Sequence, residues 1–161
     1  MTAGRLTTQK NHLRLVRAFR LVHRADPNTR LVILGSGPLR GQLSAEIEEL
    51  GLSAAVMLAG HRPNPYVVLA HADCFVLSSD YEGQPMVLLE ALILGLPVVT
   101  PSFDTVRGAR PDGYGMLVER TVDALAGGMS AFLRGEVPTL PFDYVAYNRD
   151  ATQEFYRAIG G

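Results

Sequence analysis

A strand, a loop, a helix and a second strand follow one another near the middle of this chain, and this succession most constrains its fold. The strands are the apolar runs Cys74–Leu77 and Leu96–Val99, and runs of this kind are typical of buried parallel strands. Pro85 suits the first turn of a helix and Gly95 suits its exit, which predicts a helix over Pro85–Leu94. Parallel strands joined through a helix predict an α/β fold with a doubly wound parallel sheet.

Two acidic residues accompany this helix. Glu90 is the one charged residue on an otherwise apolar helix, and a buried carboxylate costs roughly several kcal/mol unless a polar group or solvent meets it. Glu82 lies eight residues earlier, in the loop before the helix. Between the acids, the backbone N–H groups of Met86 and Val87 should point out of the helix N-terminus and favour an anion. This layout fits a ligand with hydroxyl groups at both ends and phosphate in the middle, such as a nucleotide-sugar.

At these residues the sequence resembles the retaining GT-B glycosyltransferases, whose C-terminal Rossmann-like domain carries an E-x7-E motif. Glu82 and Glu90 match the motif, and the resemblance implies that Glu82 approaches the donor sugar while Glu90 holds the ribose. The spacing alone leaves a second interpretation open: an ordinary loop acid and, on the helix, an acid paired with a basic side chain. The resemblance covers about residues 4–118, and its matching stretches are Gly4–Leu6 with Lys10, Leu31–Leu39, the Gly60 turn and Ser79–Val99.

Two cations lie in the loop after the first predicted strand, on either side of Thr7–Gln9. The resemblance assigns Arg5 and Lys10 to the donor diphosphate, which makes them catalytic together with Glu82 and implies that no metal or other cofactor takes part. The chemistry agrees, since a guanidinium binds phosphate oxygens in pairs and an ammonium adds a point charge. Taken singly, each residue is more typical of a solvated surface cation.

Further donor contacts are expected around three turns. Gly35 and Gly37 follow the second predicted strand, but a dinucleotide-binding fingerprint also needs an acid about twenty residues later at a strand end, and Val56–Gly60 has none. A tight turn that touches the donor is the interpretation that remains, and His61 also fits an ordinary surface loop. The predicted donor-binding residues besides Glu90 are Gly83, Gln84, Pro85, Met86, Val87, Gly35, Gly37, His61 and Arg62.

Capping residues predict the helices that flank the sheet. Asn11 caps a helix from His12 to about His23, and Thr121 caps a helix that ends near Leu133. The terminal segment 142–161 contains a last helix, from Phe142 to Ile159. In the first helix the apolar side chains should face the sheet and the arginines should face water. The predicted inner set is Leu13, Val16, Phe19, Leu21 and Val22, and the predicted outer set is Arg14, Arg17, Arg20 and Arg24.

Composition limits the classes of partner. The 161 residues, 47% hydrophobic and 19% charged, suit one domain spanning 1–161, and 15 basic against 16 acidic residues give no electrostatic case for nucleic acid. No apolar run approaches a membrane span, and no signal-like start is present. Cys74 is the only cysteine and suits core packing, which allows a reducing compartment. We therefore expect a cytoplasmic protein, with any contact to the inner membrane face made through a missing half. His12, His23 and His71 show no metal-ligand spacing.

The sequence therefore predicts a nucleotide-sugar-binding domain. The residues before Gly4 are too few for a full first strand, and we expect a C-terminal half whose partner is a missing N-terminal acceptor-binding domain. The whole enzyme would transfer a hexosyl group from a UDP- or GDP-sugar to a glycan, lipid or cell-wall acceptor. Pro101–Gly113 departs from the family pattern, which often has a Gly-rich turn with a Glu there. Two alternatives remain: half of a nucleotide-sugar epimerase, and a non-catalytic nucleotide-binding or interaction module.

Overall fold

The computed structural model describes residues 1–83, 85–109 and 111–160, in which short parallel strands alternate with helices. The strands are β1 (Thr2–Ala3), β2 (Leu31–Leu34), β3 (Val56–Gly60), β4 (Phe75–Val76), β5 (Val98–Pro101) and β6 (Met116–Val118). The helices are α1 (His12–Ala25), α2 (Arg40–Glu49), α3 (Tyr66–Leu69), α4 (Met86–Ile93), α5 (Asp104–Ala109), α6 (Val122–Leu133) and α7 (Tyr144–Gly160).

The strands form two parallel groups, β1-β2-β3 and β4-β5-β6. The N–H of Val76 donates to the carbonyl of Met1 at 2.8 Å, which places the groups side by side. The strand order is thus β3-β2-β1-β4-β5-β6, so the predicted doubly wound parallel sheet is confirmed. In such sheets ligands bind outside the carboxyl ends of the strands, at the point where the strand order reverses. Here that point lies between β1 and β4.

Helices cover both faces of the sheet because successive strand residues point to opposite sides. Val76 and Val99 pack with buried residues of α1, α2 and α6. Their neighbours Phe75 and Val98 pack with buried residues of α3, α4 and α5 on the other face. Cys74 is buried and free, and burial raises the pKa of its thiol to about 11. The predicted core role of Cys74 therefore fits its place in the fold.

The helix starts follow the predicted caps. The side chains of Asn11 and Thr121 accept hydrogen bonds from the backbone N–H groups of Arg14 and Ala124, at 3.2 and 3.1 Å. Pro85 occupies the cap position just before α4 and not its first turn, so α4 is shorter by a residue at each end than predicted. The short helix α5 was not predicted.

The sidedness of α1 was predicted wrongly at two positions. Leu21, expected to face the sheet, is 41% exposed. Arg14, expected to face water, is 8% exposed and bonds to groups far along the chain. These tertiary partners cannot be read from the helical period of α1 alone.

In α7, Tyr147 packs against Phe142 with ring centroids 5.6 Å apart. The other described aromatic residues of this helix, Tyr144 and Tyr156, are 51% and 64% exposed.

Candidate functional site

The loops that leave β1 and β4 meet at the reversal point of the sheet and are bonded into one unit. The N–H of Asp80 donates to the carbonyl of Gln9 at 2.8 Å, and the Gln9 side chain donates to the carbonyl of Tyr81 at 3.0 Å. The Ser78 hydroxyl donates to the carbonyl of Lys10 at 2.8 Å. These bonds cross about seventy residues of sequence and set the position of Lys10 relative to the loop before α4.

Glu82 is held from three sides. Its Oε1 accepts from Lys10 Nζ and from the Ser79 hydroxyl, both at 2.5 Å, and its side chain is only 6% exposed. The Thr105 hydroxyl donates to the Glu82 carbonyl at 2.8 Å. The predicted sugar-facing acid and one predicted phosphate-binding cation therefore contact each other directly. An ammonium has three donors, so Lys10 can keep Glu82 and still donate to another anion.

The N-terminus of α4 lies between the two acids in sequence. The Pro85 carbonyl accepts from the N–H of Leu88 at 2.8 Å, which leaves the N–H groups of Met86 and Val87 ahead of the first helical bond. Met86 is exposed, Val87 is half-buried and Gly83 is exposed. Gln84 lies outside the described residues. This geometry offers an open anion site beside Glu82.

Glu90 lies one turn into α4 and is half-buried. Its Oε1 accepts from the hydroxyl of Tyr66, at the start of α3, at 3.2 Å. The charge of Glu90 and this hydrogen bond raise the pKa of the Tyr66 phenol. Within the described part of the chain no basic side chain forms an ion pair with Glu90. The alternative in which Glu90 is a helix acid paired with a basic side chain therefore finds no support among the described residues.

The remaining predicted residues are distributed around this centre. Arg5 is exposed, and its side chain forms no hydrogen bond or ion pair with other described residues. His61 and Arg62 are exposed in the loop that leads into α3, whose Tyr66 contacts Glu90. Only Lys10 and Glu82, among the predicted site residues, are joined by a side-chain hydrogen bond or ion pair in the described chain.

Gly35 and Gly37 have a packing reason for their residue type. Gly35 has φ +133°, and a Cβ there would lie 1.9 Å from the carbonyl oxygen of Gly4. A Cβ on Gly37 would lie 2.5 Å from the carbonyl oxygen of Leu6, whose N–H bonds to Ser36 at 3.0 Å. The two glycines therefore let the loop that carries Arg5 pack on the turn after β2. A donor contact at these glycines remains a prediction.

Several residues that sequence reasoning missed support the same centre. Asp80 accepts from the Asn11 side chain at 3.2 and 3.1 Å and pairs with Arg14 at 2.8 Å. His12 is buried beside Lys10, and burial followed by the Lys10 charge lowers its pKa to about 4. Asp80 stands two residues before Glu82, and this proximity was the one sequence signal that could have found it.

No group of three or more His, Cys, Asp or Glu side chains in described positions could hold a metal ion. None of the helices within 1–83, 85–109 and 111–160 has the length and apolar character needed to cross a membrane.

Comparison with known proteins gives the family. Residues 1–150 match the model of the glycosyl transferases group 1. The chain belongs to this family. Its resemblance to GT-B glycosyltransferases, stated above from the sequence, is thereby confirmed.

Curated relatives with similar sequences are named as glycosyltransferases. The chain is 44% identical over 102 residues to an uncharacterized glycosyltransferase of Methanocaldococcus jannaschii, a match that covers 63% of this chain and 25% of the relative. It is 40% identical over 123 residues to a Campylobacter jejuni enzyme named N-acetylgalactosamine-N,N'-diacetylbacillosaminyl-diphospho-undecaprenol 4-alpha-N-acetylgalactosaminyltransferase. This match covers 74% of this chain and 32% of the enzyme. The chain thus spans about a quarter to a third of the length of these relatives.

Solved structures agree on the fold. HepE of Anabaena, solved in complex with UDP and glucose, superposes with a TM-score of 0.78 at 21% identity, covering 97% of this chain and 47% of HepE. At this level of identity the likeness concerns the fold.

Proposed function

We propose that this chain is the donor-binding domain of a retaining glycosyltransferase that transfers a hexosyl group from a UDP- or GDP-sugar to a glycan, lipid or cell-wall acceptor. The observation that carries the proposal is the direct contact of Lys10 with Glu82 beside the N-terminus of α4. A cation, a carboxylate and free backbone N–H groups there suit a sugar diphosphate. Support comes from family membership and from HepE, a protein of like fold solved with UDP and glucose.

Each part of the ligand has a proposed contact. The diphosphate lies at the N–H groups of Met86 and Val87, with Arg5 and Lys10 as counter-charges. The ribose hydroxyls donate to Glu90, and the hydroxyls of the transferred sugar lie near Glu82. The donor also meets Gly83, Gln84, Pro85, Gly35 and Gly37, and the base lies against His61 and Arg62.

The proposed chemistry follows from charge that develops on the leaving group. When the bond between the sugar carbon and the diphosphate oxygen breaks, negative charge grows on the diphosphate, and fixed donors stabilise it most when they are already in place. Arg5, Lys10 and the α4 N-terminus supply such donors, and we propose that they do so without a metal ion. We propose that transfer is retaining; the name of the C. jejuni relative gives an α linkage, which keeps the configuration when the donor is α-configured too.

The acceptor is proposed to bind on a part of the polypeptide outside these 161 residues. The support is that the chain spans only 25% and 32% of its first relatives. Transfer needs both reactants held in one geometry. We therefore expect no measurable glycosyl transfer by this chain alone, and robust turnover by it would contradict the division into halves.

Calorimetric titration with UDP, GDP, UDP-glucose, GDP-mannose and ADP-glucose tests the binding proposal. For one of the bases, we expect the nucleoside diphosphate and its sugar derivative to bind much more tightly than the matching nucleoside. Their affinity should fall as the salt concentration rises. Arg5→Ala with Lys10→Ala should weaken binding by at least about tenfold, since charge-assisted hydrogen bonds contribute roughly 1.5 to 3 kcal/mol each. The matched control is Arg17→Ala with Arg24→Ala, which removes two charges from the outer face of α1. Equal affinities of the two double variants would contradict the proposal.

A further inference from the structure

Arg14 is a buried charged side chain on the face of α1 that the helical period predicts to meet water. It lies in the first turn of α1 and is 8% exposed. A buried guanidinium is costly unless several groups meet it. The groups that Arg14 contacts therefore indicate which segments it holds in place.

The Arg14 guanidinium binds to the loop that carries Glu82. Its Nη2 donates to the carbonyls of Ser78 and Ser79, at 2.5 and 3.1 Å. Its Nη1 lies 2.8 Å from Asp80 Oδ1 and donates to the carbonyl of Arg120 at 3.0 Å. One side chain thus joins the start of α1, the β4–α4 loop and the segment before α6.

Asp80 is the second half of this arrangement. Its carboxylate also accepts from the Asn11 side chain, and its carbonyl accepts from Arg120 Nη1 at 3.0 Å. The residue therefore has its side chain, its carbonyl and its N–H all engaged. Two residues later, Glu82 faces Lys10 and the Ser79 hydroxyl.

We propose that Arg14, acting through Asp80 and the Ser78 and Ser79 carbonyls, is a positioning residue that holds Glu82 where the donor sugar binds. The inference rests on the proposed function in assigning Glu82 to the sugar. A reacting or binding group displaced by about 1 Å loses much of its effect, and a loop keeps such precision only when its own bonds are fixed. Arg14 is assigned no ligand contact, because its side chain is only 9% exposed and its described bonds all go to protein groups.

The first test compares ligands that differ only by the sugar. For the parent, Arg14→Met and Asp80→Asn, titrations with UDP against UDP-glucose and with GDP against GDP-mannose give the affinity gained from the sugar. We expect Arg14→Met to reduce that gain about tenfold while the bare diphosphate changes by less than about threefold. Arg14→Lys should restore part of the gain because it can still pair with Asp80.

Arg17→Met is the matched control on the same helix, since Arg17 pairs with Glu46 of α2 and not with the loop. It should leave the sugar-dependent gain unchanged. If Arg14→Met lowered the melting temperature but left the ratio of the two affinities as in the parent, Arg14 would be structural only and the proposal would be overturned.

A second, ligand-free readout separates this inference from the proposed function. Amide hydrogen exchange of residues 79–83 should rise at least about fivefold in Arg14→Met and in Asp80→Asn, while exchange in β2 stays as in the parent. If the parent bound none of the nucleotides, the proposed function would fail, and unchanged exchange at 79–83 would overturn the positioning role separately. Should Arg14→Met not fold, the half-exposed Asp80→Asn decides both measurements.

Discussion

The two acids on either side of the α4 N-terminus stand in opposite surroundings. Glu82 is almost fully buried and is bonded to Lys10 and Ser79 at 2.5 Å. Glu90 is half-buried, and its described side-chain partner is the neutral hydroxyl of Tyr66 at 3.2 Å. The Glu82 carboxylate is already paired with a cation in the fold, whereas the Glu90 carboxylate keeps most of its capacity to accept hydrogen bonds.

Because of this difference, substitutions near the two acids should differ in their effects on folding stability and on ligand affinity. Removing one partner of a buried pair leaves an uncompensated charge, which costs far more than losing an exposed contact. Changes around Glu82 should therefore affect both folding and ligand binding. Changes at Glu90 should affect ligand binding alone.

The largest effect is expected at the buried pair. Lys10→Met leaves Glu82 without its cation and should lower the free energy of unfolding by about 3 kcal/mol, less than a fully buried pair because Lys10 is 19% exposed. Glu90→Gln should change it by less than about 0.5 kcal/mol. Urea unfolding of both variants measures this. Adding Glu82→Gln to Lys10→Met should recover part of the loss, and additive losses in that double variant would mean that the pair is not coupled.

Acid should destabilise the folded chain through His12, which is buried and lies near Lys10. The pKa of His12 is lowered from 6.5 to about 4 in the folded chain, so its contribution to stability is full above pH 6.5 and is lost as the pH falls toward 4. Between pH 7 and pH 5 the loss should be about 2 kcal/mol from this one group. Urea unfolding at both pH values measures it.

The control for this pH dependence is His12→Gln, which does not titrate in that range. Its unfolding free energy should fall by about 2 kcal/mol less than that of the parent between pH 7 and pH 5. Identical pH dependence in the two proteins would show that His12 titrates normally.

Ligand binding should separate the acids by the part of the ligand they meet. Glu90→Gln should weaken the binding of UDP and UDP-glucose, or of GDP and GDP-mannose, by the same amount, about 1 to 3 kcal/mol. The reason is that the diphosphate and the nucleotide-sugar both carry the ribose. Glu82→Gln should spare the bare diphosphate and weaken only the nucleotide-sugar. Calorimetry on both variants measures this, and equal losses of diphosphate affinity would remove the distinction.

The smallest effect is expected at Tyr66. Tyr66→Phe removes the hydroxyl that donates to Glu90 and should strengthen diphosphate binding about two- to twelvefold, since one hydrogen bond to a competing group contributes roughly 0.5 to 1.5 kcal/mol. Calorimetric titration with UDP and GDP measures the change. Weaker binding would instead mean that the phenol itself contacts the ligand.

Local signals in the sequence predicted most of the elements, whereas the roles of Glu82 and Glu90 at α4 stay predictions. Asn11 and Thr121 identify helix starts because a cap needs only its own first turn. The apolar runs around α4 identify buried parallel strands for a similar reason, since their character is set by burial on both faces.

The supports of the site could not be predicted because they depend on residues distant in sequence. Arg14 belongs by helical period to the polar face of α1, and its burial follows from carbonyls 64 and 65 residues away. Gly35 and Gly37 predicted a tight turn that touches the donor, but their close approach to the loop after β1 could not be read from that pattern. The contact of Lys10 with Glu82 likewise required two loops to be placed side by side.

The most direct measurement is a crystal structure of this chain with UDP-glucose or GDP-mannose, whichever binds more tightly. The account predicts phosphate oxygens at about 2.7 to 3.2 Å from the N–H groups of Met86 and Val87, ribose hydroxyls on Glu90 and the sugar beside Glu82. A nucleotide bound elsewhere, with Glu82 and Glu90 both free of it, would contradict the account.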